Sequence, residues 1–176
     1  MRRTTVLLIG LVLLAGFSFE AQAQKVQKSP KSVLTQTVGL TDVSITYSRP
    51  GLKGRDMSKL AQSGKVWRTG ANAATELKVS NPITMGGKEL AAGTYSLYSI
   101  PGDGEWTVIV NSKLSWGTQY DESGDVIRFQ AKAMKTAAST ETFTIEVSDI
   151  DANGKDANIE LRWGNVSVKA PFTVSQ

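Results

Sequence analysis

From residue 24 onward the chain alternates. "DVSITYS" sets Val43, Ile45 and Tyr47 on one face against Ser44, Thr46 and Ser48 on the other. "ETFTIEVS" does the same with Phe143, Ile145 and Val147, and "ANIELRWG" with Ile159, Leu161 and Trp163. A period of two marks a strand with one buried face, and no long stretch carries the spacing of an amphipathic helix. Further strands are predicted over residues 32–38, 74–80, 93–100, 105–111, 125–132 and 165–174. Between them fall turn signals: Gly39-Leu40-Thr41-Asp42, Gly86-Gly87, Pro101-Gly102-Asp103-Gly104, Ser123-Gly124-Asp125 and Asn153-Gly154. Strands at that spacing, joined by short turns, predict an all-β, antiparallel domain. A single open sheet would leave one apolar face uncovered, so the expected form is a two-sheet β-sandwich, jelly-roll or immunoglobulin-like, with a closed barrel as the alternative. Two segments break the alternation. Residues 51–64 are Gly-rich with room for one helical turn at 57–61, and residues 133–141, "AMKTAASTE", read as a small-residue loop.

The start of the chain has a different pattern. Arg2 and Arg3 precede an apolar run from Val6 to Phe17, and Ala21-Gln22-Ala23 supplies small residues. This is the plan of a cleaved export signal over residues 1–23, leaving Gln24 as the new N-terminus. The run is about a dozen residues, short of the roughly 20 that cross a bilayer. With no cysteine in the chain, a lipid anchor through that residue is excluded. A single exported domain over residues 24–176 is expected, periplasmic or extracellular, with no membrane anchor after cleavage. A domain of that length buries roughly 70% of its unfolded surface and needs no disulfide.

Composition narrows the chemistry. The net charge is +4, from 20 basic and 16 acidic residues. The basic residues are scattered rather than gathered into a stripe, so nucleic acid is not an expected partner. With neither histidine nor cysteine, catalytic triads, thiol nucleophiles and imidazole or thiolate metal sites are ruled out. Carboxylate chemistry, a Ser/Lys pair or an oxygen-ligated cation survive.

One cation pattern is present. "DIDANGKDANIE" matches a calcium loop, with Asp149, Asp151 and Asn153 at the first ligand positions, Gly154 at the turn and Glu160 last. Its context opposes the match. The segment joins two alternating strands instead of two helices, and Asp156 stands where such loops carry an apolar residue. Asp, Asn and Gly are also what a plain hairpin turn uses. The plain turn is preferred, with calcium as the alternative and no other cofactor expected.

The segment "GKVWRTGANAATELKV" raises a second candidate. Trp67 and Arg68 point to opposite faces of an extended chain, and "YSRPGLKGR" offers Tyr47, Arg49 and Arg55 nearby in sequence. Were they to meet, Arg49, Arg55 and Arg68 would rim an aromatic platform of Tyr47 and Trp67 beside Asn72. Such a group suits a carboxylate, sulfate, phosphate or sugar. The structural alternative, which is preferred, makes Trp67 a core anchor and has the arginines bonding loop carbonyls and acids such as Glu76 or Asp56.

Taken in order, "YSRPGLKGR", "GKVWRTGANAAT", "GGKELAAGTYSLYSIPG", "EWTVIVN" and "WGTQYDESGDVIRFQ" resemble a family of exported bacterial domains, the domain of unknown function numbered 2911. The resemblance runs from about Ser29 to Phe172. It implies an exported β-rich domain and supplies no activity, cofactor or catalytic residue. Ala91 stands where relatives often carry proline before the Ala-Gly turn. The functional expectation is a non-catalytic module binding an anionic or saccharide ligand or an envelope protein. The alternatives are a carboxylate-dependent hydrolase acting on glycans and a structural envelope component.

Overall fold

The computed structural model describes residues 26–175; the predicted export signal lies outside them. Nine strands follow one another: β1 (Lys31–Val38), β2 (Thr41–Ser48), β3 (Thr75–Val79), β4 (Ile83–Met85), β5 (Lys88–Leu90), β6 (Gly93–Ile100), β7 (Glu105–Asn111), β8 (Asp125–Ser148) and β9 (Asp156–Val174). The only helical pieces among the described residues are 3-10 turns at Met57–Lys59 and Glu122–Gly124. All pairings are antiparallel. Hydrogen bonds join the nine strands into one sheet in the order β1-β2-β3-β6-β7-β8-β9-β4-β5, which does not close into a barrel.

One sheet replaces the two expected because its long strands pass through the corner. β8 has 24 residues and β9 has 19. The first part of β8 pairs with β7. From Lys132 it pairs with β9, with register shifts between Lys135 and Thr140 and again between Thr140 and Thr144. Irregularities of this kind bend a strand and increase its twist. The segment 133–141, expected as a loop, is therefore strand, and its small side chains sit where the ladder loses register.

The bend brings inward positions of both halves into one core. Val43, Ile45, Leu77 and Leu97 on β2, β3 and β6 share a buried apolar cluster with Phe143, Ile145, Leu161 and Trp163 on β8 and β9. Burying side chains of this size stabilises by about 1.5–3 kcal/mol each. The opposite face of β6 and β7 has its own small buried group, Ala74, Tyr98 and Ile109, with Ile100 and Tyr120 packed against it.

The second half of β8 has β9 on one edge only, and the chain after β2 covers the other. The Tyr47 hydroxyl accepts from Ile145 N at 2.9 Å and donates to Ile145 O at 3.3 Å. Arg49 Nε donates to Phe143 O at 3.0 Å, Phe143 N to Pro50 O at 2.9 Å, and Leu52 N to Glu141 O at 3.0 Å. Backbone groups that a neighbouring strand would satisfy are satisfied by side chains and a loop.

Candidate functional site

Trp67 lies in the core, 7% exposed. It stacks on Trp163 at 5.4 Å with 13° between the ring planes, and meets Phe143 and Trp106 edge-on. Its backbone forms a two-bond bridge with Ser99 of β6, at 2.7 and 2.9 Å. Tyr47 is likewise buried, its ring edge-on to Phe143. Arg49 serves the β8 edge through Phe143 O and the Thr144 hydroxyl. Arg55 folds back on its own loop, donating to Leu52 O and Gly51 O at 2.9 Å each. Neither of those two arginines lines a cavity with Arg68. The three-arginine rim is therefore not assembled, because strand geometry turns Arg49 toward β8 and Arg68 to the outer face.

The chain after Trp67 is a tightly held turn. Thr69 is fully buried with φ of 49°, and Asn72 has φ of 61°. Positive φ in a β-branched residue is a true backbone outlier. It persists here because the surroundings fix it: Thr75 Oγ1 donates to Thr69 O at 2.6 Å, Thr69 Oγ1 to Ser99 Oγ at 3.0 Å, and Thr75 N to Arg68 O at 3.1 Å. Asn72 Nδ2 reaches Ser48 Oγ at 3.2 Å and Ser29 O at 3.4 Å.

A feature without a periodic signature in the sequence stands beside this turn. Residues 112–124 form a loop over the outer face of β6 and β7, and buried Asn111 organises it, donating to Asp121 O and Asp125 Oδ1 and accepting from Lys113 N, all at 2.8 Å. Ser96 Oγ holds Lys113 O at 2.9 Å, and Tyr98 and Ser115 share a 2.5 Å hydroxyl bond. At its tip, a turn closed by Gln119 N on Trp116 O presents Trp116, 64% exposed. Its only sequence signal was a tryptophan among Gly and polar residues, without alternating apolar neighbours.

Trp116, Asn72 and Ala73, the segment entering β1, and the outer faces of β2 and β3 enclose an open groove of about 760 Å³. Its polar lining carries both signs and neutral groups: Lys28, Lys31, Glu76, Thr46 and Ser48. Glu76, Lys28 and Lys31 make no side-chain hydrogen bond or ion pair among the described residues and are free to meet a ligand.

The calcium-loop residues are already engaged with the protein. Asp149 Oδ2 accepts from Lys169 Nζ at 2.6 Å and Asn158 Nδ2 at 3.1 Å. Asp151 Oδ1 accepts the amides of Lys155 at 2.6 Å and Asp156 at 3.1 Å, which hold its carboxyl below the usual aspartate range. Asn153 Nδ2 reaches Asp151 Oδ2 at 3.4 Å. Glu160 is buried, bonded by the Ser167 hydroxyl at 2.7 Å. Burial pushes its carboxyl up, but Ser167, Lys169 and Arg162 outweigh burial and lower it. No cluster of three or more metal-ligating side chains occurs among the described residues.

For carboxylate catalysis, Glu146 and Glu160 face each other as cross-strand partners of β8 and β9. Arg162 is bonded to Glu146 and lies 3.8 Å from Glu160, which also has Lys169 at 4.0 Å, so each acid has a cationic partner. Neither acid lines a cavity described here.

The fold and groove define an all-β, single-sheet domain with one exposed tryptophan over a polar floor. The family model described as protein of unknown function (DUF2911) matches residues 29–172, and the chain belongs to that family. No curated protein matches the chain, and no solved structure does.

Proposed function

We propose that this protein is an exported, non-catalytic saccharide-binding module, with the groove beneath Trp116 as its site. The observation that carries the reading is the exposed indole, held by an ordered loop beside a floor that mixes carboxylate, ammonium, amide and hydroxyl groups. A sugar ring presents an apolar C–H face to an aromatic ring and a rim of hydroxyls that both donate and accept. A floor of both signs matches that rim better than it matches an anion. The groove also falls in the size range of small-ligand sites. The curled sheet, with its halves packed across one core, serves as a sandwich of the immunoglobulin or jelly-roll kind in presenting this face. Export rests on the signal-like residues 1–23, and an intact mass beginning at Gln24 is the outcome that supports it.

Fluorescence titration against neutral and acidic oligosaccharides tests the site. Trp67, Trp106 and Trp163 are buried and none of them lines the groove, so a ligand seated there changes chiefly the emission of Trp116. A binding sugar should shift the emission saturably, and Trp116→Ala, titrated by calorimetry because the reporting indole is gone, should abolish binding while changing stability by less than about 0.5 kcal/mol. Binding that survives Trp116→Ala, or no binding across the panel, overturns the reading. Release of reducing ends from the panel would favour the hydrolase.

A further inference from the structure

A second cavity, of about 330 Å³, shares no residue with the groove. Leu60, Lys65, Trp67, Arg68, Thr118 and Tyr120 help wall it. Its charge is of one sign: Lys65 and Arg68 line it and no carboxylate does.

Arg68 is the exception among the described arginines. Arg49 and Arg55 bond carbonyl oxygens, Arg128 pairs with Glu122, and Arg162 pairs with Glu146. Arg68 forms no side-chain hydrogen bond or ion pair, and its Nε is shut off from solvent without a partner. A buried donor left unmade is costly, the more so on a charged group. The next residue, Thr69, holds a strained positive φ of 49°. Strain and an unpaired cation side by side are what a site awaiting its ligand contains.

We propose that this cavity is an oxyanion site, in which the Arg68 guanidinium receives a carboxylate, sulfate or phosphate group and Lys65 and the Thr118 hydroxyl complete its shell. The two Nη groups of the guanidinium match two oxygens of such a group, while Gly117 packs against the Nε side. Leu60 and Trp67 give an apolar wall for whatever carries the anion, so the ligand is a small acidic organic molecule. The Tyr120 hydroxyl is committed to Asp125 at 2.6 Å and does not take part. This inference stands apart from the saccharide reading, because it uses other residues and another cavity.

The test follows the Arg68 Nε–H resonance of nitrogen-labelled protein while sodium phosphate, sulfate or acetate replaces sodium chloride at constant ionic strength. A saturable shift with Kd on the order of 1 mM is expected for at least one oxyanion, and the ranking of the three identifies the group. Arg68→Gln should weaken binding at least about tenfold, and Arg68→Lys nearly as much, because the fork is lost while the charge stays. Lys65→Gln should weaken it about threefold. Lys88→Gln, which removes a distant exposed charge, should change nothing. The proposal is overturned if chloride moves the resonance equally, if no oxyanion saturates it, or if Arg68→Gln binds as well as the native protein. Should Arg68→Gln fail to fold, the native titration and Lys65→Gln still decide. Because Trp67 walls this cavity, only the emission change that Trp116→Ala removes reports the groove, whereas the Arg68 resonance reports this cavity, so either reading can fail alone.

Discussion

Gly117 lies so close against Arg68 that a methyl group at position 117 would fall 2.0 Å from Arg68 Cδ and 2.4 Å from the Asn72 carbonyl oxygen. The arginine could swing aside, but the carbonyl is backbone in a turn fixed at both ends. Gly117→Ala should therefore push the 112–124 loop outward and cost about 1–3 kcal/mol through overpacking. Urea unfolding is the check. An unchanged midpoint would mean that the loop yields freely and does not fix Trp116.

Trp67 touches three aromatic rings and bridges to Ser99. Trp67→Ala should cost about 3–5 kcal/mol, because the cavity opens between the two halves of the sheet where neither can collapse into it. Denaturant unfolding measures the cost. Unchanged stability would contradict the packing described here.

Acid should loosen the loop that carries Trp116. The Lys113 ammonium, with Ser123, holds the Asp121 carboxyl at about 2, below its ordinary value of 3.8. A depressed carboxylate stabilises above its unfolded pKa, and that contribution is lost as pH falls through the folded value. Between pH 3.8 and about 2, amide exchange in residues 112–124 should accelerate relative to the core strands. Asp121→Asn should show the faster exchange already at neutral pH and remove the acid dependence. Exchange that is flat across this window in the native protein would rule out Asp121 as the loop's tether.

Asp151 accepts two turn amides, so Asp151→Ala should lower the melting temperature by the same amount in excess calcium and in chelator. A bound cation at 100 times its Kd would instead add about 2.7 kcal/mol to the native protein alone. A calcium-dependent rise that Asp151→Ala abolishes would restore the cation reading of this hairpin.

Period-two alternation located β1, β2, β3, β6 and β7 to within a residue or so, because each turns one face to the core, although β6 and β7 also bury part of the other face. The same signal divided β8 and β9 into separate strands. Where these cross the bend, Ala137, Ala138 and Ser139 have no core face to alternate against, so the pattern lapses although the strand continues. β4 and β5 are three residues each, too short to write a period, and only the Gly86-Gly87 turn between them was legible. For the site, local pattern placed Trp67 and Arg68 on opposite faces. It could not show that Arg49 meets Phe143, 94 positions later. Trp116 escaped because an exposed aromatic in a loop has no periodic neighbours to mark it.

The bonds from Tyr47 to Ile145 span 98 positions, and those from Arg49 to the same strand span 94 and 95. None can form until more than half of the chain between Lys31 and Val174 has been synthesised. Closing so large a loop is an entropic toll levied before any contact repays it. Until then the late edge of β8 is an open template for the strands of other molecules. The same clasp that finishes the native sheet thus makes assembly slow, on the millisecond-to-second scale of non-local β topologies, and leaves a nascent chain vulnerable for as long as Tyr47 waits for Ile145.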